Sequence, residues 1–302
     1  MIKHLKHEAI DKAWWDRQVN GCLNRSWYAK SDVLDIVSPN WEALVDDVSG
    51  AIMPLTWRRK FGIDYLFQPY AIQQLGVFSP RPVELVSSMA FLDSIPQRFR
   101  YVDIRLNEHM GSLGIDGAIP NANQTLRPTS SIEALRAAYD KGHRRNLKKA
   151  LPPDTEWTSD VNAAAFTELF ERTTAERFGG LRPTDRRLLQ ALITHAIERG
   201  EARIIGLRSQ GVTIASACFV TSQGRSVLLK SASTSAGAEH RALFHIVDHW
   251  IAENAGTDRV LDFAGSNHPG TRRFNEGFGC STSLYLNVRR NHLPLWLKWM
   301  KR

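Results

Sequence analysis

Residues 261–279 read LDFAGSNHPGTRRFNEGFG. An apolar residue leads into Asp262 and Phe263, small residues follow, Pro269 opens a polar run, and two glycines flank Phe278. The pattern predicts a strand over 259–263, a loop, and a short helix over 269–276 with proline in its first turn. A closing strand follows over 281–288. Asp262 then falls near the carboxyl end of a strand, where α/β sheets place ligands.

Upstream of this stretch, 202–208, 212–221 and 226–232 are β-rich and separated by Ser-Gln-Gly turns that suit hairpins. Helices over 163–178 and 184–199 precede them, and a long helix over 237–254 follows. This order predicts an α/β protein with a mixed, mostly antiparallel sheet flanked by helices. The first half is patterned in a similar way, with helices over 10–23 and 28–37, then strands over 41–48, 52–55 and 63–67. A helix over 81–95 and strands over 101–106 and near 124–127 complete it. Ser130 and Glu133 form a capping box for a further helix, which Pro152 and Pro153 stop. The reading therefore divides the chain into domains 1–152 and 153–302. The tail 289–302 ends in LPLWLKWMKR, an amphipathic basic segment that either packs back on the first domain or lies on the inner membrane surface.

Composition narrows the classes. The chain has 302 residues, 43% of them hydrophobic and 23% charged, enough for two folded cores. Its three cysteines are far apart, which argues against a disulfide framework or zinc cluster, and no metal is expected. The N-terminus lacks the apolar run of a signal peptide, and no stretch reaches the ~18 apolar residues of a membrane span, so a cytoplasmic location is expected. A net charge of +8 would attract nucleic acid, anionic headgroups or a phosphorylated substrate.

The element order of the second half resembles the GNAT acyltransferase fold. The closing motif is more specific: Asp262-Phe263-Ala264-Gly265-Ser266, Pro269-Gly270, Arg273-Phe274 and Gly277-Phe278-Gly279 resemble the tandem-GNAT, FemAB-like family. The basic run 143–150 (HRRNLKKA) is similar to the helix end that joins that family's two halves. The resemblance implies two fused GNAT-like domains, an acceptor-side first half and a donor-side second half. It implies transfer of an aminoacyl group from aminoacyl-tRNA to an amine of a peptidoglycan precursor, with no permanently bound cofactor. Two departures stand out. Family transferases carry lysine after the phenylalanine, where this chain has Asn275. The acyl-CoA pyrophosphate loop of ordinary GNAT enzymes falls at 234–239, where Thr234 replaces its first residue and Glu239 brings a carboxylate.

Acyl transfer to an amine needs a deprotonated nucleophile, a polarised donor carbonyl and positioning of the two. Asp262 and Lys230 are the candidate catalytic residues. Asp262 would accept or orient the amine proton, or else cap its loop or pair with Arg259 or Arg273. Lys230, at the end of an apolar strand, faces substrate or snorkels at an edge. Ser266 and Asn267 cap the short helix or help hold an anion, Arg273 faces solvent or ligand, Phe274 packs with Phe278, and Asn275 offers a neutral hydrogen bond.

In the first half, Trp57 and Arg58 sit in a turn between strands, either solvated or touching phosphates. Gln68, Gln73 and Gln74 recognise substrate or satisfy loop backbone, and Tyr28 and Lys30 match the acceptor region loosely. Arg144, Arg145, Lys148 and Lys149 either stabilise a helix end or hold RNA phosphates. His245 and His249 lie four apart beside Asp248 with no evident third metal ligand. Three functions remain open: a tRNA-dependent aminoacyltransferase, an acyl-CoA-dependent N-acetyltransferase, and a non-catalytic ligand-binding tandem GNAT protein.

Overall fold

A computed structural model describes residues 1–176, 179–265 and 267–294. The chain runs β1 (Ile2–Leu5), α1 (Lys12–Gly21), α2 (Ser31–Val37), β2 (Glu42–Asp46), β3 (Ala51–Leu55), β4 (Trp57–Lys60), β5 (Ile63–Phe67), α3 (Leu85–Asp93), β6 (Phe99–Arg105) and β7 (Ile119–Leu126). It continues through α4 (Ile132–Ala138), α5 (Lys141–Leu147), β8 (Glu156–Thr158), α6 (Ala163–Phe170), α7 (Pro183–Glu198), β9 (Ala202–Ser209), β10 (Val212–Ser222) and β11 (Arg225–Ser233). The last elements are α8 (Ser235–Glu239), α9 (Ala242–Glu253), β12 (Val260–Asp262), α10 (Pro269–Glu276) and β13 (Ser281–Asn291).

Two compact units form: 1–122 with the described residues from 283 on, and 123–282. The division thus falls earlier than residue 152, because Leu135 of α4 and Tyr139 are buried in the core of the second unit, with Trp250 and Phe278. β7 and β13 each contribute residues to both units.

In the first unit β1, β2 and β3 pair antiparallel. β4 pairs antiparallel with β5, β5 parallel with β6, and β6 antiparallel with β13. Phe91 and Leu92 of α3 pack on Leu66, Val102 and Leu106. Trp15 is fully buried against Trp41 at 4.8 Å, and its indole N–H donates to the Ala29 carbonyl at 2.8 Å. The Trp41 indole in turn donates to Asp35 at 2.9 Å, so both buried indoles keep hydrogen-bond partners, as burial demands. At the chain's end, Leu293 packs with Tyr101, Ile63 and Tyr65. Residues 295–302, the core of the amphipathic tail, lie outside the described residues.

In the second unit the strand order is β7-β12-β11-β10-β9-β8. Only the β11–β12 pair is parallel. Ile246, Val247, Trp250 and Ile251 of α9 cover one face of this sheet, packing with Phe219, Leu228 and Leu261. Among the described residues, no helix is long and apolar enough to cross a membrane.

Several expected elements differ for identifiable reasons. The helix over 130–151 is two helices, because Tyr139 is extended (ψ 147°) and the Asp140 side chain caps α5 by accepting the His143 N–H at 2.6 Å. The helix over 237–254 breaks at Arg241, whose φ of 59° is left-handed. The first turn of the helix over 81–95 is absent: Glu84 and Ser87 form a capping box, so α3 starts at Leu85 and Pro82 lies outside. Trp57 and Arg58, expected in a turn, are in β4, and the turn is Phe61-Gly62 with φ of 52° and 73°.

An ionic network ties the first unit together. Arg98 bridges Glu42 of β2 and Asp64 of β5, which are 5% and 6% exposed. Arg59 of β4 grips Asp64 from the other side at 2.6 and 2.9 Å. The Arg59 guanidinium, helped by Arg98, holds the Asp64 carboxyl below its ordinary range against the opposing effect of burial. A carboxylate depressed by folding contributes stability above its unfolded value near 3.9 and loses it as pH falls through the folded value. Asp64→Asn should therefore lower the melting temperature at neutral pH, because Arg59 and Arg98, 63% and 34% exposed, lose a charged acceptor that solvent only partly replaces. The gap in melting temperature between variant and wild type should narrow as pH drops from about 5 to about 3. A gap constant across that range would contradict this assignment.

Candidate active site

The centre of the second unit is a place where two strands part. β11 and β12 pair over three residues only, Arg225↔Val260, Ser226↔Leu261 and Val227↔Asp262. β11 then runs on to Ser233, while Phe263 turns to β7, its N–H reaching the Gln124 carbonyl at 3.0 Å. Just past the last pair the register of β11 against β10 jumps: Phe219 opposes Leu228 and Cys218 opposes Lys230, leaving Leu229 as a bulge. A bulge bends its strand and raises the local twist. From Leu228 on, β11 runs without β12 beside it, and the Thr174 hydroxyl reaches its Ser231 carbonyl.

Asp262 fixes the parting point. It is 2% exposed. One carboxylate oxygen accepts from Arg225 Nε and its terminal nitrogen at 2.8 and 2.7 Å. The other accepts the Ala264 N–H at 2.8 Å, and Ala264 is left-handed with φ 49°. The loop-capping alternative is thus what the geometry displays, and the pairing arginine is Arg225 rather than Arg259 or Arg273. No sequence signal marked Arg225, because it reaches Asp262 from the neighbouring strand.

Lys230 stands beyond the bulge, half-buried, with its ammonium 5.9 Å from the Phe170 ring centroid. Phe170 ends α6, and one π-helical turn follows over Glu171–Ala175. Such turns recur at functional sites. This one brings the Thr174 hydroxyl to the Ser231 carbonyl at 3.1 Å. Neither the π turn nor Thr174 was legible in the sequence.

The closing motif builds a packed corner. Phe274 and Phe278 meet at 5.3 Å, and both ring the buried His143 together with Phe244. Gly277 is obligatory there, since a Cβ on it would lie 1.9 Å from the His143 ring. Asn275 is 2% exposed, and its amide donates to the Gln124 side-chain oxygen at 3.1 Å. This corrects its reading as a ligand-facing replacement for lysine. Arg273 is exposed. The N-cap of α10 is His268, without a side-chain cap bond, so Asn267 does not cap it; Ser266 lies outside the described residues.

At the expected pyrophosphate loop the Thr234 hydroxyl and the Gly237 N–H are already engaged. The Thr234 hydroxyl donates to the Ile214 carbonyl at 3.1 Å and accepts the Gly237 N–H at 3.1 Å. A Cβ on Gly237 would sit 2.2 Å from that same carbonyl, so its glycine serves close packing on β10.

The basic helix end is divided. Arg144 hydrogen-bonds the Ala137 and Tyr139 carbonyls, closing the end of α4, while Arg145, Lys148 and Lys149 lie on α5 and just after it, with Lys148 and Lys149 exposed. His245 reaches the Lys149 carbonyl at 3.1 Å, and burial lowers its proton affinity. Asp248 is held by Arg136 and Tyr139, and His249 stacks on Trp157 at 4.3 Å.

In the first unit most singled-out residues serve structure. Gln68 bridges the Ile72 carbonyl and Arg105 N–H, and Gln74 accepts the Glu108 N–H while donating to Gln73. Trp57 donates to the Asn40 carbonyl and lies under Arg98. The Arg58 guanidinium sits 4.1 Å over Phe67. Tyr28 is buried beside Trp27, and Lys30 is the half-buried residue that precedes α2.

Residues 135–271 match the model of the acetyltransferase (GNAT) domain. Among solved structures, FemX superposes with a TM-score of 0.66 at 12% identity, over 99% of both chains. A tandem GNAT protein from the clavulanic acid biosynthesis pathway gives 0.51 at 13% identity, over 97% of this chain and 99% of that one. A GNAT-family acetyltransferase from Colwellia psychrerythraea gives 0.51 at 10%, over 95% and 98%. No curated protein matches the sequence. The chain thus has the tandem GNAT acyltransferase fold that the closing motif implied.

Crowding at Gly277 yields a direct check. Gly277→Ala should destabilise the second unit by roughly 1–3 kcal/mol through overpacking. In a His143→Ala background the same change should cost markedly less, a non-additivity measurable by denaturant unfolding of the four proteins.

Proposed function

We propose that the second unit transfers an acyl group to an amine, with the donor laid along the open edge of β11, and that the donor is an aminoacyl-tRNA. The parting of β11 from β12 after Val227 and Asp262, next to the Leu229 bulge, carries this reading. An extended donor adds to a strand edge through main-chain hydrogen bonds. Its carbonyl is then polarised by fixed N–H groups as negative charge develops. The amine nitrogen forms the new C–N bond, the ester bond to the ribose oxygen breaks, and the amine proton passes to that oxygen. Lys230 supplies positive charge near the developing oxyanion, and Asp262 with Arg225 holds the strands apart.

A covalent cysteine intermediate is disfavoured. Burial pushes the Cys22 thiol up to about 11 and Cys218 up to about 12, and raises Cys280 as well. All three are protonated and weakly nucleophilic at neutral pH. Thr234 and Glu239, standing where the pyrophosphate loop has other residues, support a donor other than CoA. The acceptor is an amine-bearing small molecule or peptidoglycan precursor, met in the cytoplasm or at the inner membrane surface. The second reading is an acyl-CoA-dependent N-acetyltransferase, favoured by the acetyltransferase domain match and by a structural neighbour whose description refers to AcCoA.

Incubating the protein with amine acceptors and either labelled acetyl-CoA or a pool of charged tRNA separates the readings. Transfer only from charged tRNA is the expected result. CoA release without tRNA dependence would establish the second reading, and silence with both would leave a ligand-binding protein. Lys230→Met should lower kcat by about 10²-fold with an unchanged melting temperature. Asp262→Asn should instead lose about 1–2 kcal/mol of stability, because half-buried Arg225 loses its carboxylate acceptor.

A further inference from the structure

We infer that the end of α5, with Arg241 beside it, is a docking surface for the phosphates of an RNA, and that it receives the body of the donor whose acyl end lies at β11. The stretches 140–149 and 239–241 carry six basic and two acidic side chains, which is half of the chain's net charge of +8. Two histidines tie these stretches together in space. His240 donates a ring N–H to the Ala150 carbonyl, and His245 donates one to the Lys149 carbonyl, each at 3.1 Å. Arg241 follows His240 directly, left-handed at φ 59°, where α8 gives way to α9. On α5, Lys141, Arg145 and Lys148 recur four and three residues apart and so share one face, and Lys149 comes next in the chain.

Helix stabilisation accounts for only part of this charge, because a helix end carries roughly half an elementary charge. Arg144 is engaged with the Ala137 and Tyr139 carbonyls at the end of α4. Lys141, Arg145, Lys148, Lys149 and Arg241 are exposed, and among the described residues none of the five is in an ion pair. Arg241 donates to the Ala238 carbonyl and keeps its charge. Elsewhere in the same unit exposed arginines are matched, Arg182 by Asp185, Arg203 by Glu253 and Arg272 by Glu276. The two carboxylates at the patch leave it positive: Asp140 caps α5 and accepts from His143, and Glu239 is exposed on α8. Cations gathered in this way repel one another, a cost that a bound polyanion removes.

The surface suits a phosphate backbone rather than a lipid face. A helix that lies on a membrane inserts apolar side chains beside its cations. Here Leu147 and Leu151 pack on the core of the unit, and no large hydrophobic side chain is exposed in 140–151 or 235–245. Lysine and arginine contacts to phosphate position a nucleic acid without reading its sequence. The placement also fits the reaction. β11 ends at Ser233, and α8 over Ser235–Glu239 adds about 8 Å of helix before Arg241. A donor with its acyl end at β11 therefore brings its phosphates to the patch. The pyrophosphate and 3′-phosphate of CoA offer the same chemistry in a smaller ligand. That the RNA is the acyl donor rests on the transferase reading, whereas the binding of RNA does not.

Binding of a fluorescent RNA hairpin with a single-stranded 3′ end, followed by anisotropy between about 50 and 200 mM salt, tests the inference. Wild-type affinity should fall steeply with salt. Lys148→Ser/Lys149→Ser should bind about tenfold more weakly at the lowest salt, with the slope of log affinity against log salt reduced by about one per lysine removed. Arg145→Gln and Arg241→Gln should each act in the same direction. Arg203→Gln removes an equal charge from a paired, exposed site and should leave binding within about twofold. Melting temperatures of the patch variants should equal that of wild type, because the side chains changed are exposed. Absence of RNA binding at the lowest salt would overturn the inference, and so would equal weakening by Arg203→Gln. A lysine-pair variant that loses binding to acetyl-CoA or to phosphatidylglycerol vesicles, with RNA binding untouched, would overturn it in favour of that ligand. Acyl transfer is not measured, so loss of the proposed activity with RNA binding intact would refute the donor reading and leave this surface standing.

Discussion

The Arg225–Asp262 pair is the interaction on which the second unit's architecture turns. A parallel strand pair that continued past Val227 would close the sheet and leave no edge for a ligand. Asp262 stands at this end with both oxygens engaged: one accepts from Arg225 across the paired rungs, the other from the N–H of left-handed Ala264. The bulge at Leu229 turns the partner strand at almost the same level. Removing the carboxylate would unsettle the opening before it affected any proton transfer.

That distinction explains how the sequence misleads at this point. An aspartate at a strand end is a reasonable general base by position. Its role changes because of an arginine on the adjacent strand, a residue separated by 37 positions that no local pattern links to it. Similarly, Asn275 reads as a lysine replaced, yet it is buried against Gln124, whose place in the same unit becomes evident only when β7 lies beside β12. The closing helix, the hairpins of β9, β10 and β11, and the final strand were legible because hydrophobic period and turn glycines report local structure. The breaks at Asp140 and Arg241 were not, since one cap or one left-handed residue outweighs a continuous apolar face.

The glycines divide along the same line. Gly277 and Gly237 stand in a motif or loop where function is the first thought, but each is required by an approaching neighbour, the His143 ring and the Ile214 carbonyl. The first unit shows the same economy among polar groups. Its glutamines complete the hydrogen bonding of irregular backbone, as buried loops require.

β4 has a further consequence in solution. It is the outermost strand of its sheet and carries Arg58, Arg59 and Lys60 in succession. An outermost strand offers unpaired main-chain groups to any other chain that meets it. Two such edges brought together here would bring several cationic side chains close to one another. The run WRRK, whose Arg58 lies over Phe67 and whose Arg59 grips Asp64, thus makes this strand a poor template for the sheet of a second copy.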